Sequence, residues 1–113
     1  MPLRASPAGA AARDDPVRVD AYVLDVLLPD LVGHDRRPSA LLVYLVLWRL
    51  TRGARAPAAV SLAALAEASG LSKRAVQGAL ATLRRRRLVS AARAGITAVP
   101  EYRVLRPWAR DVR

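Results

Sequence analysis

The sequence predicts a mainly α-helical fold with one small β-hairpin. Between Leu62 and Val89, apolar residues recur at helical spacing in two short blocks that a Ser-Gly-Leu turn separates. A long apolar helix precedes these blocks, and two short β-type stretches follow them. The 113 residues are 53% hydrophobic without a single Phe, so the core must be built from Leu, Val and Ala. These observations indicate one small domain of closely packed helices.

The segment 17–32 has two readings. Its apolar residues Val19, Tyr22, Val23 and Val26 fall at helical spacing, but the β-branched content of the same stretch suits a strand. We favour a strand or extended segment that ends near Pro29. Asp residues recur every five positions here, which places them on different faces of an α-helix, so we expect no metal site.

The next element is a helix that is apolar nearly all round, with the sequence ALLVYLVLWRLTR. Ser39 is the expected N-cap and Gly53 the expected C-terminal stop. Such a helix must be covered on most sides, by the segment 17–32 or by a second copy of the chain. Its apolar run is far shorter than the roughly 20 residues that cross a bilayer. With no apolar signal core at the N-terminus, we expect a cytoplasmic protein without a membrane partner.

Two capped helices and a tight turn follow. Ser61 is the expected cap of a first helix over residues 62 to about 68, and Gly70 provides the left-handed backbone that ends it. Ser72 is the expected cap of a second helix over residues 73 to about 86.

The second helix has two distinct faces. Its apolar face is formed by Val76, Ala79, Leu80 and Leu83. Its polar face is formed by Lys73, Arg74, Gln77, Gly78, Ala81, Arg84 and Arg85. Gly78 costs about 1 kcal/mol relative to Ala at mid-helix. It therefore indicates either the close approach of a phosphate or partner, or sequence drift on a solvated face.

A hairpin is predicted after the second helix. Residues 88–93 have the pattern of a strand, Ala94-Gly95 that of a tight turn, and the stretch around Tyr102 that of the returning strand. Val60 is a candidate for a short additional strand.

Charge is unevenly distributed along the chain. The formal net charge is +10, from 19 basic and 9 acidic residues. Asp residues dominate the first part of the chain, whereas the stretch from Ala68 to Pro100 holds no acid at all. A segregated positive field attracts a polyanion.

Several classes of chemistry are not expected. The chain has no Cys, and its only histidine is His34, in a predicted loop. It has no phosphate-cradling glycine loop and no paired carboxylates in a predicted cleft. The sequence therefore predicts no enzyme, no metal site and no cofactor.

The pattern SLxxLAxxxGLSxxxVxxALxxLxxxxLV, with its flanking helix and hairpin, resembles winged helix–turn–helix DNA-binding proteins over residues 38–105. The matching residues are Ser61, Leu62, Leu65, Ala66, Gly70, Leu71, Ser72, Val76, Ala79, Leu80, Leu83, Leu88 and Val89. Arg87 departs from the family, which often has Gly there, and this implies a strained turn or a different helix end. The expected organisation is a flexible tail over 1–16, a winged helix–turn–helix domain over 17–106 and a basic tail over 107–113.

The resemblance implies that the helix Ser72–Arg86 lies in the major groove of double-stranded DNA. Its leading residues Lys73, Arg74 and Gln77 are the candidates for base contacts, since Arg and Lys donate to guanine and Gln pairs with adenine. Ser72 caps the helix, and its hydroxyl can also bind a phosphate.

The remaining predicted DNA-binding residues are basic and lie further along. In the run Arg84 to Arg87, Arg84 and Arg85 are expected on the presented face and the other two at its edges, all near phosphates. Positive side chains also suit the end of a helix for dipole reasons. Arg93 is expected in the wing, beside the DNA backbone or the minor groove.

Three functions fit these features. The first is a sequence-specific transcription regulator of the bacterial type, expected as a homodimer. The second is a plasmid or phage replication or partition factor with the same reading helix. The third is a winged-helix adaptor that binds protein, with its acidic front paired to its basic rear.

Overall fold

The computed structural model describes residues 15–96 and 98–109. Most of the expected N-terminal tail and residues 110–113 of the expected basic tail lie outside the described residues. Three α-helices form the body: α1 (Pro38–Leu50), α2 (Leu62–Ser69) and α3 (Lys73–Arg85). A three-stranded antiparallel sheet of order β1-β3-β2 joins β1 (Ala58–Ala59), β2 (Val89–Ala92) and β3 (Glu101–Val104). The mainly α fold with a small hairpin is confirmed.

A helical segment over residues 21–34, which we call the leading segment, precedes α1. It contains two π-helical stretches, Val23–Leu27 and Asp30–His34. The expectation of a strand here is wrong. Val23, Leu27 and Leu31 recur every four residues and are all buried, so packing of this stripe outweighs the β-branched content. Pro29 is tolerated because it is the N-cap of the second π-helical stretch, with a helical φ of −64°.

The ends of α1 differ from the expected caps. The N-cap is Arg37, and Pro38 occupies the first turn, where its missing N–H is not needed. Ser39 therefore lies inside the helix and is not its cap. At the other end Gly53 has a φ of +71°, but Arg52 already has a φ of +55° one residue earlier. The reversal of the chain thus begins on Arg52 rather than on the glycine.

The centre of the core is α1. It contacts the leading segment, α2, α3 and β3, so the expected cover by the preceding segment is confirmed and shared with three other elements. Tyr44 is fully buried, and its hydroxyl donates to the Leu105 carbonyl at 2.9 Å. Burial raises the pKa of the Tyr44 hydroxyl above its ordinary value. The indole N–H of Trp48 donates to the Arg18 carbonyl at 2.7 Å. These bonds fix the chain on both sides of the domain to α1.

The hairpin is longer in its loop than expected. β2 ends at Ala92, and a loop over residues 93–100 leads to β3 in place of a tight turn at Ala94-Gly95. The additional strand is Ala58–Ala59 and precedes Val60, whose N–H donates to the Pro100 carbonyl at 3.1 Å. No helix among the described residues is long and apolar enough to cross a membrane.

Candidate nucleic-acid interface

The turn between α2 and α3 is fixed by caps. The Ser61 hydroxyl accepts from the Ala64 N–H, and the Ser72 hydroxyl accepts from the Ala75 N–H, each at 3.0 Å. Gly70 ends α2 with a φ of +76°, a conformation that favours glycine. All three predictions are confirmed. Because each bond is local, neighbouring residues in the sequence determine where each helix begins and where α2 ends.

The buried and exposed residues of α3 lie on separate faces, as the sequence predicts. Its buried residues are Val76, Ala79, Leu80, Thr82 and Leu83. The exposed residues of α3 are Lys73, Arg74, Gln77, Ala81, Arg84 and Arg85, and Ser72 at its N-cap is exposed too. The structure thus presents Ser72, Lys73, Arg74 and Gln77 together at the start of one helix. This outward face of α3 contains no acidic residue.

The end of α3 is a left-handed turn on Arg87, which has a φ of +58°. The Arg87 N–H donates to the Arg84 carbonyl at 3.0 Å, and the Leu88 N–H donates to the Leu83 carbonyl at 2.8 Å. This pair of bonds is the Schellman motif, and buried Leu83 and Leu88 are at the positions of its apolar contact. Of the two outcomes that the sequence left open, the strained turn is the one observed.

Replacing Arg87 by glycine is expected to stabilise the domain by about 1 kcal/mol, since glycine adopts this conformation without the clash of a Cβ. Thermal unfolding followed by circular dichroism measures the gain. The matched control is Arg85→Gly, which places glycine inside α3 and should destabilise by a similar amount. Equal losses in both variants would contradict the assignment of strain to Arg87.

Arg86 is held within the protein. Its guanidinium donates to Asp30 at 2.5 Å and to Asp35 at 2.6 Å. The two carboxylates converge because the Asp35 N–H donates to the Asp30 carbonyl across a π-helical turn. Residues five apart therefore do share a face here, unlike in an α-helix. The hydrogen bond that the Arg86 guanidinium donates to Asp30 is the main cause of the raised pKa of Arg86. The sequence analysis did not foresee these ion pairs, and the expectation that Arg86 lies near phosphates stays a prediction.

Arg84 and Arg93 lie together between α3 and the hairpin. They line a hollow of about 220 Å³ with Tyr102 and Pro100. Burial raises the pKa of the Tyr102 hydroxyl, and the charges of Arg84 and Arg93 act against that rise. Both arginines are exposed, and Arg93 also donates to the Ile96 carbonyl at 3.3 Å within the loop. Arg85 is exposed on the outward face of α3.

One basic residue on this surface was missed by the sequence analysis. Arg37, the N-cap of α1, places its guanidinium over Gly78 of α3: a Cβ on residue 78 would lie 2.7 Å from Nη1 of Arg37. No local pattern connects the two residues. The one available signal was the glycine in the middle of the polar face.

The acidic front of the chain is partly neutralised inside the same molecule. Asp20 accepts from Arg106 at 2.7 Å and from the Trp108 indole at 3.0 Å, and Trp108 stacks on Tyr22 with ring centroids 4.5 Å apart. Among residues 15–96 and 98–109, no group of three or more acidic, histidine or cysteine side chains is placed to hold a metal ion.

Comparison with protein families identifies residues 37–89 as a helix–turn–helix domain. This range covers α1, the two helices joined by the turn, and the start of the hairpin. This helix–turn–helix domain and the antiparallel hairpin that follows it together have the arrangement of a winged helix–turn–helix fold, in which the second helix of the motif is suited to binding DNA. Comparisons with curated proteins and with solved structures gave no significant match.

Proposed function

We propose that this protein is a sequence-specific transcription regulator that binds double-stranded DNA in the cytoplasm. One observation carries the proposal: α3 is capped at its start, buried on one face and free of acid on the other, where a lysine, an arginine and a glutamine lie exposed side by side. A helix of this kind fits the major groove, and its leading residues reach the base edges.

Lys73, Arg74 and Gln77 are the proposed base readers. They occupy the first turns of α3 and are exposed. A guanidinium can donate two bonds to guanine, and a glutamine amide can both donate to and accept from adenine. Ser72 acts first as the cap, since its hydroxyl already accepts from the Ala75 N–H. Its role toward DNA is to orient the helix start, whose amides favour a phosphate.

Arg84, Arg85 and Arg93 are the proposed phosphate contacts. Arg84 and Arg93 face the same hollow between helix and hairpin, so one strand of the backbone can lie against both of them. Arg85 extends the positive face to the end of α3. Such contacts position the protein on the duplex and carry little sequence information.

We further propose a homodimer formed through the leading segment. Its outer side carries Leu24, Leu28 and Val32, spaced by four and all more than a third exposed, and nothing in the described chain covers them. The chain measures 34 × 32 × 30 Å, close to the 34–36 Å that separates successive major grooves on one side of DNA. Two copies side by side would therefore match two half-sites about one turn apart.

The dimer is tested by introducing a charge on that side. Leu28→Asp should convert a dimer into a monomer in sedimentation experiments, because the carboxylate would be buried between the copies without a partner. Ile96→Asp, at a fully exposed loop residue, is the matched control and should leave the mass unchanged. A wild-type monomer at tens of micromolar would contradict the proposal.

A replication or partition factor is the second candidate, because it would use the same helix in the same way. The adaptor is less well supported. Asp20, Asp30 and Asp35 already bind Arg106 and Arg86 of their own chain, so fewer acids are left for head-to-tail pairing.

Binding to random and to selected duplexes, measured over a range of salt concentrations, tests the proposed function. The logarithm of the binding constant should fall with the logarithm of salt by about 0.9 for each neutralised phosphate. Selected sites from a random oligonucleotide pool should bind more tightly than random ones. An absence of affinity for every duplex would refute DNA binding and favour the adaptor. Affinity without any selected sequence would refute a sequence-specific regulator.

A further inference from the structure

The outward face of α3 has a gap at its middle. Basic and polar side chains lie at its start, on Arg74 and Gln77, and at its end, on Arg84 and Arg85. Between them the face offers only Gly78 and Ala81, which have no side chain that reaches a ligand. A helix that approaches a duplex along this face would bring a bare stretch of backbone against it.

The guanidinium of Arg37 occupies this gap. Gly78 is only partly exposed although it belongs to the outward face, and Nη1 of Arg37 lies 2.7 Å from the position that a Cβ at residue 78 would take. Two backbone bonds hold Arg37 in place: its N–H donates to the Leu31 carbonyl at 2.8 Å, and its carbonyl accepts from the Ala40 N–H at 2.9 Å. The chain therefore enters α1 at a fixed point beside α3.

We propose that Arg37 is an additional DNA-binding residue, placed by Gly78 at the middle of the outward face of α3, where it binds a backbone phosphate. The inference rests on the proposed binding of duplex DNA. Arg37 reaches α3 from the side of α1, and the walls of the major groove are lined by phosphates, so a phosphate is the group it meets first. A guanidinium suits this role because it can donate two parallel bonds to phosphate oxygens.

The proposal also explains the glycine. Glycine is among the least favourable residues in a helix interior, and nothing else within 4 Å of the absent side chain requires it. An alanine at 78 would favour the helix but would displace the guanidinium, since 2.7 Å is too short for contact between a methyl group and nitrogen. Glycine at residue 78 therefore lowers the stability of α3 and leaves space for the guanidinium of Arg37.

The test compares Arg37→Ala with Arg55→Ala, which removes the same charge from an exposed residue beyond the opposite end of α1. Arg37→Ala should weaken binding about tenfold for selected and random duplexes alike, and should lower the salt dependence by about one phosphate. Arg55→Ala should change the affinity less than twofold. Equal effects of the two variants, in a protein that does bind duplexes, would overturn the role of Arg37 while leaving the proposed function intact. Failure of the unmodified protein to bind any duplex would refute the proposed function itself.

Gly78→Ala tests the placement separately. It should raise the melting temperature and yet weaken DNA binding by part of the loss seen in Arg37→Ala, because the flexible guanidinium must shift but is still present. In the double variant, the two losses should not add, because both act on the same contact. Affinity equal to that of the unmodified protein in Gly78→Ala, or additive losses in the double variant, would overturn the placement by Gly78.

Discussion

Replacing Arg74 or Gln77 by alanine is expected to cost about 1–3 kcal/mol of binding to the selected site, while binding to random duplexes changes little. Each side chain lies exposed in the first turns of α3, so its loss would remove the proposed base contact without disturbing the core. Competition between selected and random duplexes in a fluorescence anisotropy titration measures the preference directly.

Arg85→Ala is the matched control on the same helix. It is exposed, it carries the same charge as Arg74, and it lies far from the leading end. Its loss should weaken all duplexes by a similar factor and lower the salt dependence by about one phosphate. If all three variants lose affinity equally for selected and random duplexes, the division into base readers and phosphate contacts is wrong.

Replacing Leu83 by alanine is expected to destabilise the domain by about 2–5 kcal/mol. Leu83 is fully buried, and its carbonyl accepts the bond that ends α3, so a cavity there loosens both the core and the helix end. Domains of this size are typically stable by only about 5–15 kcal/mol, so this loss would be a large part of the total free energy of unfolding. Chemical denaturation measures the loss of unfolding free energy. The slope of that free energy against denaturant concentration should be the same in the variant and the unmodified protein.

Leu42→Ala provides the comparison, because this substitution removes the same atoms from α1 at a position that is 42% exposed. It should cost well under 1 kcal/mol. DNA binding by the Leu83 variant should fall only in proportion to its unfolded fraction. A stable Leu83 variant that has lost DNA binding would mean that Leu83 acts on the interface and not on the core.

The part of the fold that the sequence predicts best is set by neighbours along the chain. The caps on Ser61 and Ser72 and the turn on Gly70 depend on bonds to residues at most four positions away. The division of α3 into two faces follows from its period alone. These local rules define α3 and its two faces, so its exposed residues can be identified from the sequence alone.

The remaining features depend on partners distant in sequence. Whether the leading segment is helix or strand is decided by the packing of Val23, Leu27 and Leu31 on the rest of the core, and not by its own residue preferences. The pairing of Arg86 with Asp30 and Asp35 spans more than 50 positions in the sequence. It also needs a π-helical turn, which the spacing of apolar residues does not predict. The contact of Arg37 with Gly78 is of the same kind.

The ion pairs of Arg86 and Arg106 have a consequence for selectivity. A genome offers a vast excess of nonspecific sites. The selectivity of a DNA-binding protein therefore depends on its affinity for those sites as much as on its affinity for the specific one. Two cations counted in the formal charge of +10 are paired with carboxylates of their own chain, and this pairing lowers what they add to nonspecific binding. Under the proposed function, weaker nonspecific binding means that the preference for one site over another depends mainly on the few side chains that contact base edges.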